Sequence, residues 1–374
     1  MNRVADHEPG QRDTANDISD LPLWREVTAL DEAGRHMDAI VLLSRAAAEG
    51  DLLAKRTVGL RILFGDRAPL LGPEGAKLIA EAARDGDAPS AVLSATLTGA
   101  GVYCVQDWRA ALDWLQYAAE LGSARARGAL RLLCADTDLG AHAETAAPPA
   151  DLWRRLRAKV DIAALLSPRP GHLLLGDPLI RVYPDFACPR MCAWLIAQAQ
   201  GRLARAQVYN PHTGGVEAAS ERTNRAALFN LLDADVAQII LQARIAATVG
   251  VPFGNLEPAA ILHYAPGQMF EDHYDFVDPA TPNYAEEIAR NGQRRITFLL
   301  YLNDDYEGGE TAFPSLNLSH KGQAGQALSF ENVLPDGVGD TRTLHAGRPP
   351  VRGEKWVLSQ FIRDRTVVPG IRPD

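Results

Sequence analysis

Three side chains in the second half of the sequence have types and spacing suited to binding a metal ion. His273 and Asp275 stand two residues apart in HYDF, so on an extended strand both point to one face and Tyr274 points away. His345, in TRTLHAGRPP, is the third candidate if its strand lies beside the first in a closed sheet. Two imidazoles and one carboxylate would leave the other coordination positions of an iron(II) ion open. Taken singly, H-x-D occurs by chance on surfaces, and His345 could be a satisfied core histidine.

A lysine follows at a distance that suits an anion site beside such a metal. Lys355 lies ten residues beyond His345, after the turn GRPPVRG, so the chain can return on an adjacent strand with the ammonium facing the same interior. A buried lysine needs an anionic partner, and the distal carboxylate of 2-oxoglutarate would supply one. The alternative is a lysine on the surface of a strand.

Seven ordered sequence blocks contain or surround these residues: YAPGQ, HYD, RRITFLLYLN, GGETAFP, GQALSFEN, LHAG and GEKW. Together they resemble the prolyl 4-hydroxylase family of 2-oxoglutarate oxygenases over roughly residues 173–365. The resemblance implies a double-stranded β-helix, or jelly roll, that uses Fe(II), 2-oxoglutarate and O2, with ascorbate as a further candidate cofactor. It also implies a set of site residues: His273, Asp275 and His345 as catalytic iron ligands, Lys355 on the C5 carboxylate of 2-oxoglutarate, and Tyr264 and Thr297 as hydrogen-bonding neighbours of that cosubstrate.

The substrate side of the resemblance is less regular. Arg222 and Arg294 look like the family's arginines near the substrate groove, and Tyr274 is a further substrate candidate. The family more often has Ser where Asn224 stands and Trp where Phe361 stands, so peptide recognition remains open. The carboxylate of the HYD block favours hydroxylation, because halogenating relatives replace it with a small residue.

The segment 276–293, between the second ligand candidate and the next strand, contains two prolines and several polar residues. It is too long for a tight hairpin. Either it covers the mouth of the active site as a substrate lid, or it is a disordered surface insertion.

The first half of the sequence contains an internal repeat. Gly50, Gly86 and Gly122 stand 36 residues apart, each after an Ala-Ala pair and an apolar helical pattern. The segments resemble the Sel1-like branch of the tetratricopeptide repeats over residues 23–135, which implies a short α-solenoid of helix pairs. Such a solenoid presents a concave surface to a protein or peptide, or serves assembly.

These patterns predict an α+β multidomain chain. We expect a disordered tail at 1–22, repeats at 23–135, a connector at 136–168 with one helix around Leu152 to Leu166, the oxygenase domain at 169–368 and a tail at 369–374. The oxygenase domain should contain short strands and two supporting helices, near Arg190 to Leu203 and Asp233 to Val249.

Composition limits the partners. The formal net charge is -9, and no block of Lys and Arg stands out, so nucleic acid is not an expected partner. The N-terminus has no apolar run that could serve as a signal peptide or membrane anchor. Cys188 and Cys192 suggest two buried free thiols, in keeping with a reducing cytoplasm.

Three classes of function remain to be compared. A hydroxylase of a prolyl or other residue in a protein is favoured, because a protein-binding repeat domain would be superfluous for a metabolite. A hydroxylase of a free amino acid or other small metabolite is the alternative. A non-catalytic binding protein would require a broken site. The sequence does not determine the oligomeric state or the hydroxylated residue.

Overall fold

This computed structural model describes residues 21–134, 149, 151–206, 208–210, 215–217, 221–281, 283–368 and 370–371. The described residues form two compact units. One comprises 21–130 with the described part of 149–157, and the other comprises 131–134 and the residues from 158 onward. Residues 1–20 of the predicted N-terminal tail and most of the predicted C-terminal tail lie outside the described residues, and the predicted domain boundaries stay predictions.

The first unit is helical, and six of its helices form three consecutive pairs. The first helices of the pairs begin at His36, Gly72 and Trp108, which confirms the 36-residue repeat. The bounds are α1 Pro22–Glu32, α2 His36–Ala48, α3 Leu52–Phe64, α4 Gly72–Arg84, α5 Ala88–Ala100, α6 Trp108–Glu120 and α7 Ala124–Leu133.

Each pair turns at the glycine that the repeat predicted. Gly50, Gly86 and Gly122 have φ angles of 101°, 106° and 99°, a region that residues with a Cβ rarely adopt. In the second and third pairs, the two alanines before the glycine are fully buried, so that neighbouring helices approach closely. Aspartates then begin two of the second helices: Asp51 accepts from the Ala54 N–H, and Asp87 from the Ser90 N–H.

The connector differs from its prediction. Where one helix was expected, two short helices form, α8 (Leu152–Ala158) and α9 (Ile162–Leu166). Asp161 explains the interruption, because its carboxylate accepts from the Ala164 N–H and begins a new helix.

The second unit contains the strands and three further helices, α10 (Pro189–Gln200), α11 (Val236–Val249) and α12 (Tyr284–Asn291). Both predicted supporting helices are present as α10 and α11. The strands are β1 His172–Leu175, β2 Ile180–Tyr183, β3 Ala204–Arg205, β4 Val208–Asn210, β5 Gly215–Glu217, β6 Arg225–Phe229, β7 Ala259–Tyr264, β8 Phe270–His273, β9 Arg294–Tyr301, β10 Glu307–Gly308, β11 Thr311–Phe313, β12 Leu318–His320, β13 Ala327–Glu331, β14 His345–Gly347, β15 Pro350–Arg352 and β16 Lys355–Arg363.

Two antiparallel sheets carry the jelly roll. The larger has the order β1-β2-β13-β9-β16-β7-β6-β3, and the smaller has the order β12-β11-β14-β8. Eight strands form the jelly roll, four in each sheet. The four from the larger sheet, β13-β9-β16-β7, face the four of the smaller sheet, β12-β11-β14-β8. This is the topology of a double-stranded β-helix, and the predicted fold is confirmed.

The core of the second unit lies between these sheets. Phe313 of the smaller sheet packs with Tyr301 and Phe330 of the larger one, and all three side chains are fully buried. Strand β9 accordingly has few exposed residues: from Ile296 to Tyr301 every residue is buried. The core holds the two sheets that carry the site at a fixed spacing.

Two smaller points complete the fold. No helix in the described part of the chain is long and apolar enough to cross a membrane. Cys192 is buried as predicted, but Cys188 is exposed, because it precedes the first turn of α10 as its N-cap residue rather than lying on the helix face. The prediction of two buried thiols is therefore wrong for Cys188.

Candidate active site

The three predicted metal ligands meet at the end of the smaller sheet. Strands β8 and β14 pair so that His273 lies opposite His345. The H-x-D spacing suggested that Asp275 lies on the same strand as His273. Instead, Asp275 lies two residues beyond the end of β8. Its carboxylate still reaches both rings: Oδ1 lies 3.5 Å from His273 Nε2, and Oδ2 lies 3.3 Å from His345 Nε2. One ligand atom from each residue lies within 4.8 Å of the others.

Backbone carbonyls select the imidazole nitrogens that can bind a metal. His273 Nδ1 lies 2.7 Å from the carbonyl oxygen of Glu271, and His345 Nδ1 lies 3.0 Å from that of Thr343. A carbonyl only accepts, so each Nδ1 carries the proton and donates it. Both Nε2 atoms are then left with a lone pair on the side where the carboxylate lies, as a metal ligand requires.

The carboxylate between the rings is buried and ionised. Burial acts to raise the pKa of Asp275, but His345 and His273 together hold it well below its usual value. Thr297 Oγ1 donates a hydrogen bond of 2.7 Å to Oδ2. Two neutral-capable imidazoles and one anionic oxygen donor are the ligand set expected for non-haem iron(II), so the residues present fit that metal.

All three ligands line one cavity with about 560 Å³ of empty space, part of it open to solvent. Its walls come from both sheets. Its apolar lining includes Leu262, Leu299, Val357 and Phe361. A mostly apolar cavity with a few polar groups suits a small organic ligand held beside a metal.

Lys355 and Arg222 are the two basic side chains among the described residues that line this cavity. Lys355 begins β16 opposite Tyr264 of β7, and it is only 2% exposed. Its Nζ lies 5.2 Å from the ring centroid of Tyr264 and 5.8 Å from that of Tyr301. Within the described residues, Nζ has no hydrogen bond and no ion pair. Burial lowers the pKa of Lys355 to about 8, an effect that Glu310 partly opposes. A desolvated ammonium beside aromatic faces is a site for a carboxylate ligand.

The two predicted neighbours of the cosubstrate have different positions. Tyr264 is 3% exposed and lines the cavity. Thr297 donates to Asp275 and accepts from Asn332 Nδ2 at 2.9 Å. In this structure the single hydroxyl proton of Thr297 is given to Asp275, and the expectation that Thr297 contacts the cosubstrate stays a prediction.

The predicted substrate residues also separate. Arg222 lines the cavity, with its Nε donating to Asn224 Oδ1 at 3.2 Å and its Cζ 4.5 Å from the ring centroid of Phe270. Phe270 in turn stacks on His273, with centroids 3.5 Å apart. Arg222 is thus positioned beside the metal ligands.

Arg294 and Tyr274 are not among the described residues that line the cavity. Arg294 forms two hydrogen bonds to Glu257, of 2.7 and 2.9 Å, and its Cζ lies 3.9 Å from the ring centroid of Phe361. It packs on Phe361, which does line the cavity, and the expected direct contact of Arg294 with substrate stays a prediction. Tyr274 is 40% exposed and packs against Phe276.

Sequence reasoning missed several lining residues that strand alternation could have identified. Ser359 shares the face of β16 that carries Lys355, since residues two apart in a strand point the same way. Thr311 lies inside the recognised GGETAFP block, and its hydroxyl is 2.9 Å from the Tyr301 hydroxyl. These residues line the same cavity as Lys355.

This chain is similar to several known proteins. The model of the 2OG-Fe(II) oxygenase superfamily matches residues 259–363. Probable prolyl 4-hydroxylase 3 of Arabidopsis thaliana is 33% identical over 237 residues, which cover 57% of this chain and 80% of the relative. Among solved structures, the viral collagen prolyl hydroxylase of Paramecium Bursaria Chlorella virus-1 is 27% identical, with 49% of this chain and 95% of that chain covered and a TM-score of 0.38. A Sel1 repeat protein from Oxalobacter formigenes is 23% identical, with 38% and 60% covered and a TM-score of 0.28.

The jelly roll and the His-Asp-His site define an Fe(II)-dependent oxygenase. The chain belongs to the prolyl 4-hydroxylase family of 2OG-Fe(II) oxygenases. It is accordingly a 2-oxoglutarate-dependent dioxygenase that uses Fe(II), 2-oxoglutarate and O2.

Proposed function

We propose that this dioxygenase hydroxylates a prolyl residue, or another residue, of a protein or peptide. In this proposal His273, Asp275 and His345 bind the iron, and Lys355 binds the C5 carboxylate of 2-oxoglutarate. The observation that carries it is the pairing of a three-residue donor set with a buried, ion-pair-free lysine in one cavity. The lysine does not stabilise the fold by itself, since a buried ammonium without an anion costs free energy.

Iron and 2-oxoglutarate, when bound, supply an oxidant for an unactivated C–H bond and yield succinate and carbon dioxide. The chain contributes binding, orientation and exclusion of water. Lys355 and Tyr264 hold the distal end of the cosubstrate, while Leu262, Leu299 and Val357 keep water from the reacting centre. The Nδ1 hydrogen bonds keep both imidazoles in the ligating tautomer.

A prolyl substrate is supported by the names of the relatives, which are prolyl 4-hydroxylases. The cavity adds a chemical reason. Arg222 brings hydrogen-bond donors to a wall next to Phe270 and the metal ligands, where a peptide carbonyl could accept them. A free amino acid or other small metabolite is the second candidate, because a cavity of this size matches a small molecule.

The cofactor assignments are tested by turnover of 2-oxoglutarate to succinate. Wild type should consume 2-oxoglutarate with added Fe(II), and His345→Ala should not. Lys355→Met should raise the KM for 2-oxoglutarate at least tenfold, because it removes the only cation among the cavity-lining residues described here other than Arg222. Succinate formation by His345→Ala at the wild-type rate would remove the proposed iron site.

The substrate class is tested by incubating lysate proteins with wild type and His345→Ala. Mass spectrometry should then find peptides that gain one oxygen only with wild type, and fragmentation should place that oxygen on proline. Oxidation on another residue type would support a protein or peptide substrate but show that the hydroxylated residue is not proline. If free amino acids drive succinate formation while no peptide is oxidised, the metabolite reading replaces this proposal.

We further propose that the repeats recruit the protein substrate in the cytoplasm. The period and helix pairs of the first unit are those of a protein-binding solenoid. Once a substrate protein is identified, its KM should be at least tenfold lower than that of a short peptide carrying the same target residue. Equal KM values for protein and peptide would assign the repeats to assembly instead.

A further inference from the structure

A chain of two hydrogen bonds runs from a buried asparagine to the proposed iron ligand Asp275. Asn332 Nδ2 donates to Thr297 Oγ1 at 2.9 Å, and Thr297 Oγ1 donates to Asp275 Oδ2 at 2.7 Å. We propose that Asn332 is a positioning residue that acts through Thr297 to hold Asp275 with its other oxygen, Oδ1, available to the metal. The inference rests on the proposed iron site.

The direction of the two hydrogen bonds follows from the charge on Asp275. Asp275 is a carboxylate, which only accepts, so the Thr297 hydroxyl must donate to it. The hydroxyl oxygen then needs a donor rather than an acceptor on its other side. An asparagine N–H supplies that donor, and each bond polarises the next toward the carboxylate. The amide orientation of Asn332 is therefore determined by the charge on Asp275.

The side-chain oxygen of Asn332 indicates that the role of this residue depends on its N–H donor. Asn332 is fully buried, and its Oδ1 has no hydrogen-bond partner in the described part of the chain. A buried carbonyl without a partner costs free energy, and an apolar side chain of similar size would avoid that cost. Asn332 is unfavourable for folding in this respect, but its N–H satisfies Thr297.

The backbone around Asn332 prevents the amide from moving away. Its N–H donates to the Arg295 carbonyl at 2.8 Å, and its carbonyl accepts from the Asp340 N–H at 2.9 Å. Arg295 and Thr297 are both on β9, so the same strand that holds the Asn332 backbone carries the hydroxyl that receives its side chain. Strand β9 thus holds Asn332, the far end of the hydrogen-bond chain, in place. The chain supports Asp275, which lies beyond the end of β8.

The test measures metal binding and stability in the same variants. Co(II) is titrated into the metal-free full-length protein and followed by its visible absorption, with no turnover required. Asn332→Leu should weaken Co(II) binding by about 10- to 100-fold, the range for loss of a residue behind a metal ligand. The same variant should unfold at an equal or higher urea concentration, because it removes the unpartnered Oδ1.

A double-mutant cycle tests that Asn332 acts through Thr297. Thr297→Val should weaken Co(II) binding at least as much as Asn332→Leu, and adding Asn332→Leu to it should cause little further loss. Thr297→Ser keeps the hydroxyl and should bind Co(II) like wild type. Ser329→Ala is the matched control on β13: Ser329 is also buried, but its hydroxyl lies 3.1 Å from that of Tyr183.

Each outcome decides a separate point. If wild type and Asn332→Leu bind Co(II) equally tightly, the inference is overturned while the proposed iron site stands. Independent losses that add up in the double variant also overturn it. If Asn332→Leu does not fold, Co(II) binding is compared in Asn332→Ala, Thr297→Val and Thr297→Ser instead. A wild type that binds no Co(II), with an unchanged absorption spectrum, overturns the proposed iron site and this inference with it.

Discussion

The side chain of Gln293 closes on the backbone of Val277, two residues beyond Asp275. Oε1 accepts from the Val277 N–H at 2.7 Å, and Nε2 donates to the Val277 carbonyl at 2.7 Å. The amide thus pairs with a peptide group as a neighbouring strand would. The segment predicted as a lid begins one residue before Val277 and ends at Gln293, and it contains helix α12.

We expect Gln293→Ala to lower the free energy of unfolding of the second unit by about 1–3 kcal/mol, because both polar groups of Val277 lose their partner while buried. The affinity for Co(II) should fall as well, since the backbone that carries Asp275 is no longer held. Urea unfolding and Co(II) titration measure the two effects. Arg290→Ala, an exposed change on α12, is the control. Loss of stability with unchanged Co(II) affinity would show that Gln293 supports the loop alone.

The pKa of Lys355 predicts how cosubstrate binding depends on pH. Burial lowers this pKa to about 8, so the ammonium is present below pH 8 and is lost as the pH rises above it. Because 2-oxoglutarate binds as a dianion, its Kd should be constant from pH 6.5 to 7.5 and rise up to about tenfold per pH unit above pH 8. Calorimetric titration of the metal-loaded protein without O2 measures this profile.

Lys355→Arg provides the control for that profile, because a guanidinium stays charged throughout this range. Its Kd at pH 7 can differ from that of wild type, but the rise above pH 8 should be absent. The same rise in Lys355→Arg would assign the pH dependence to another group.

The same lysine should oppose folding when no cosubstrate is bound. Lowering its pKa from 10.5 to about 8 corresponds to a penalty of about 3 kcal/mol on the folded state with a charged lysine. The penalty is fully present below pH 8 and is relieved between pH 8 and 10.5, as the folded state loses its proton before the unfolded state does. Lys355→Met should therefore raise the free energy of unfolding at pH 7 by about 1–3 kcal/mol.

Urea unfolding of wild type and Lys355→Met at pH 7 and pH 9.5 measures this effect. The difference between the two proteins should shrink at the higher pH, and a given concentration of 2-oxoglutarate should stabilise wild type more than the variant. A variant less stable than wild type at pH 7 would show that Lys355 has an anionic partner in the folded protein before the cosubstrate binds.

Local patterns predicted most of the fold. The 36-residue spacing of Gly50, Gly86 and Gly122 predicted the helix pairs, because each glycine adopts the backbone conformation that ends the first helix. Short apolar runs predicted the strands, because alternation and turn residues act within a few positions. The split of the connector into two helices was missed, since the sequence does not show that the Asp161 carboxylate accepts from the Ala164 N–H and begins a second helix.

Long-range partners explain what the sequence could not predict at the site. His273 and Asp275 were predicted from their spacing and His345 from its own sequence block, and the three meet in one cavity. The partner of Thr297 could not be read in this way, because strand alternation shows the face of a hydroxyl but not the direction of its hydrogen bond. The role of Arg294 depends on Glu257, which is 37 residues earlier in the chain and carries no signal near RRITFLLYLN.

The two arginines predicted to contact substrate should behave differently when each is replaced by leucine. Arg222 lines the cavity, so Arg222→Leu should raise the KM for the hydroxylated substrate at least tenfold and leave the KM for 2-oxoglutarate within about twofold. Arg294 neutralises the partly buried Glu257 together with Arg363, so Arg294→Leu should lower the free energy of unfolding by about 1–3 kcal/mol.

Kinetics with the identified substrate and urea unfolding of both variants separate these effects. Arg294→Leu should also alter substrate binding less than Arg222→Leu does, because it acts only through the position of the Phe361 ring. Glu257→Gln is the matched variant for the ion pair, and it should reproduce the stability loss of Arg294→Leu without touching Phe361. If instead Arg294→Leu raises the substrate KM as strongly as Arg222→Leu while Glu257→Gln leaves it unchanged, Arg294 contacts the substrate directly, as the sequence first suggested.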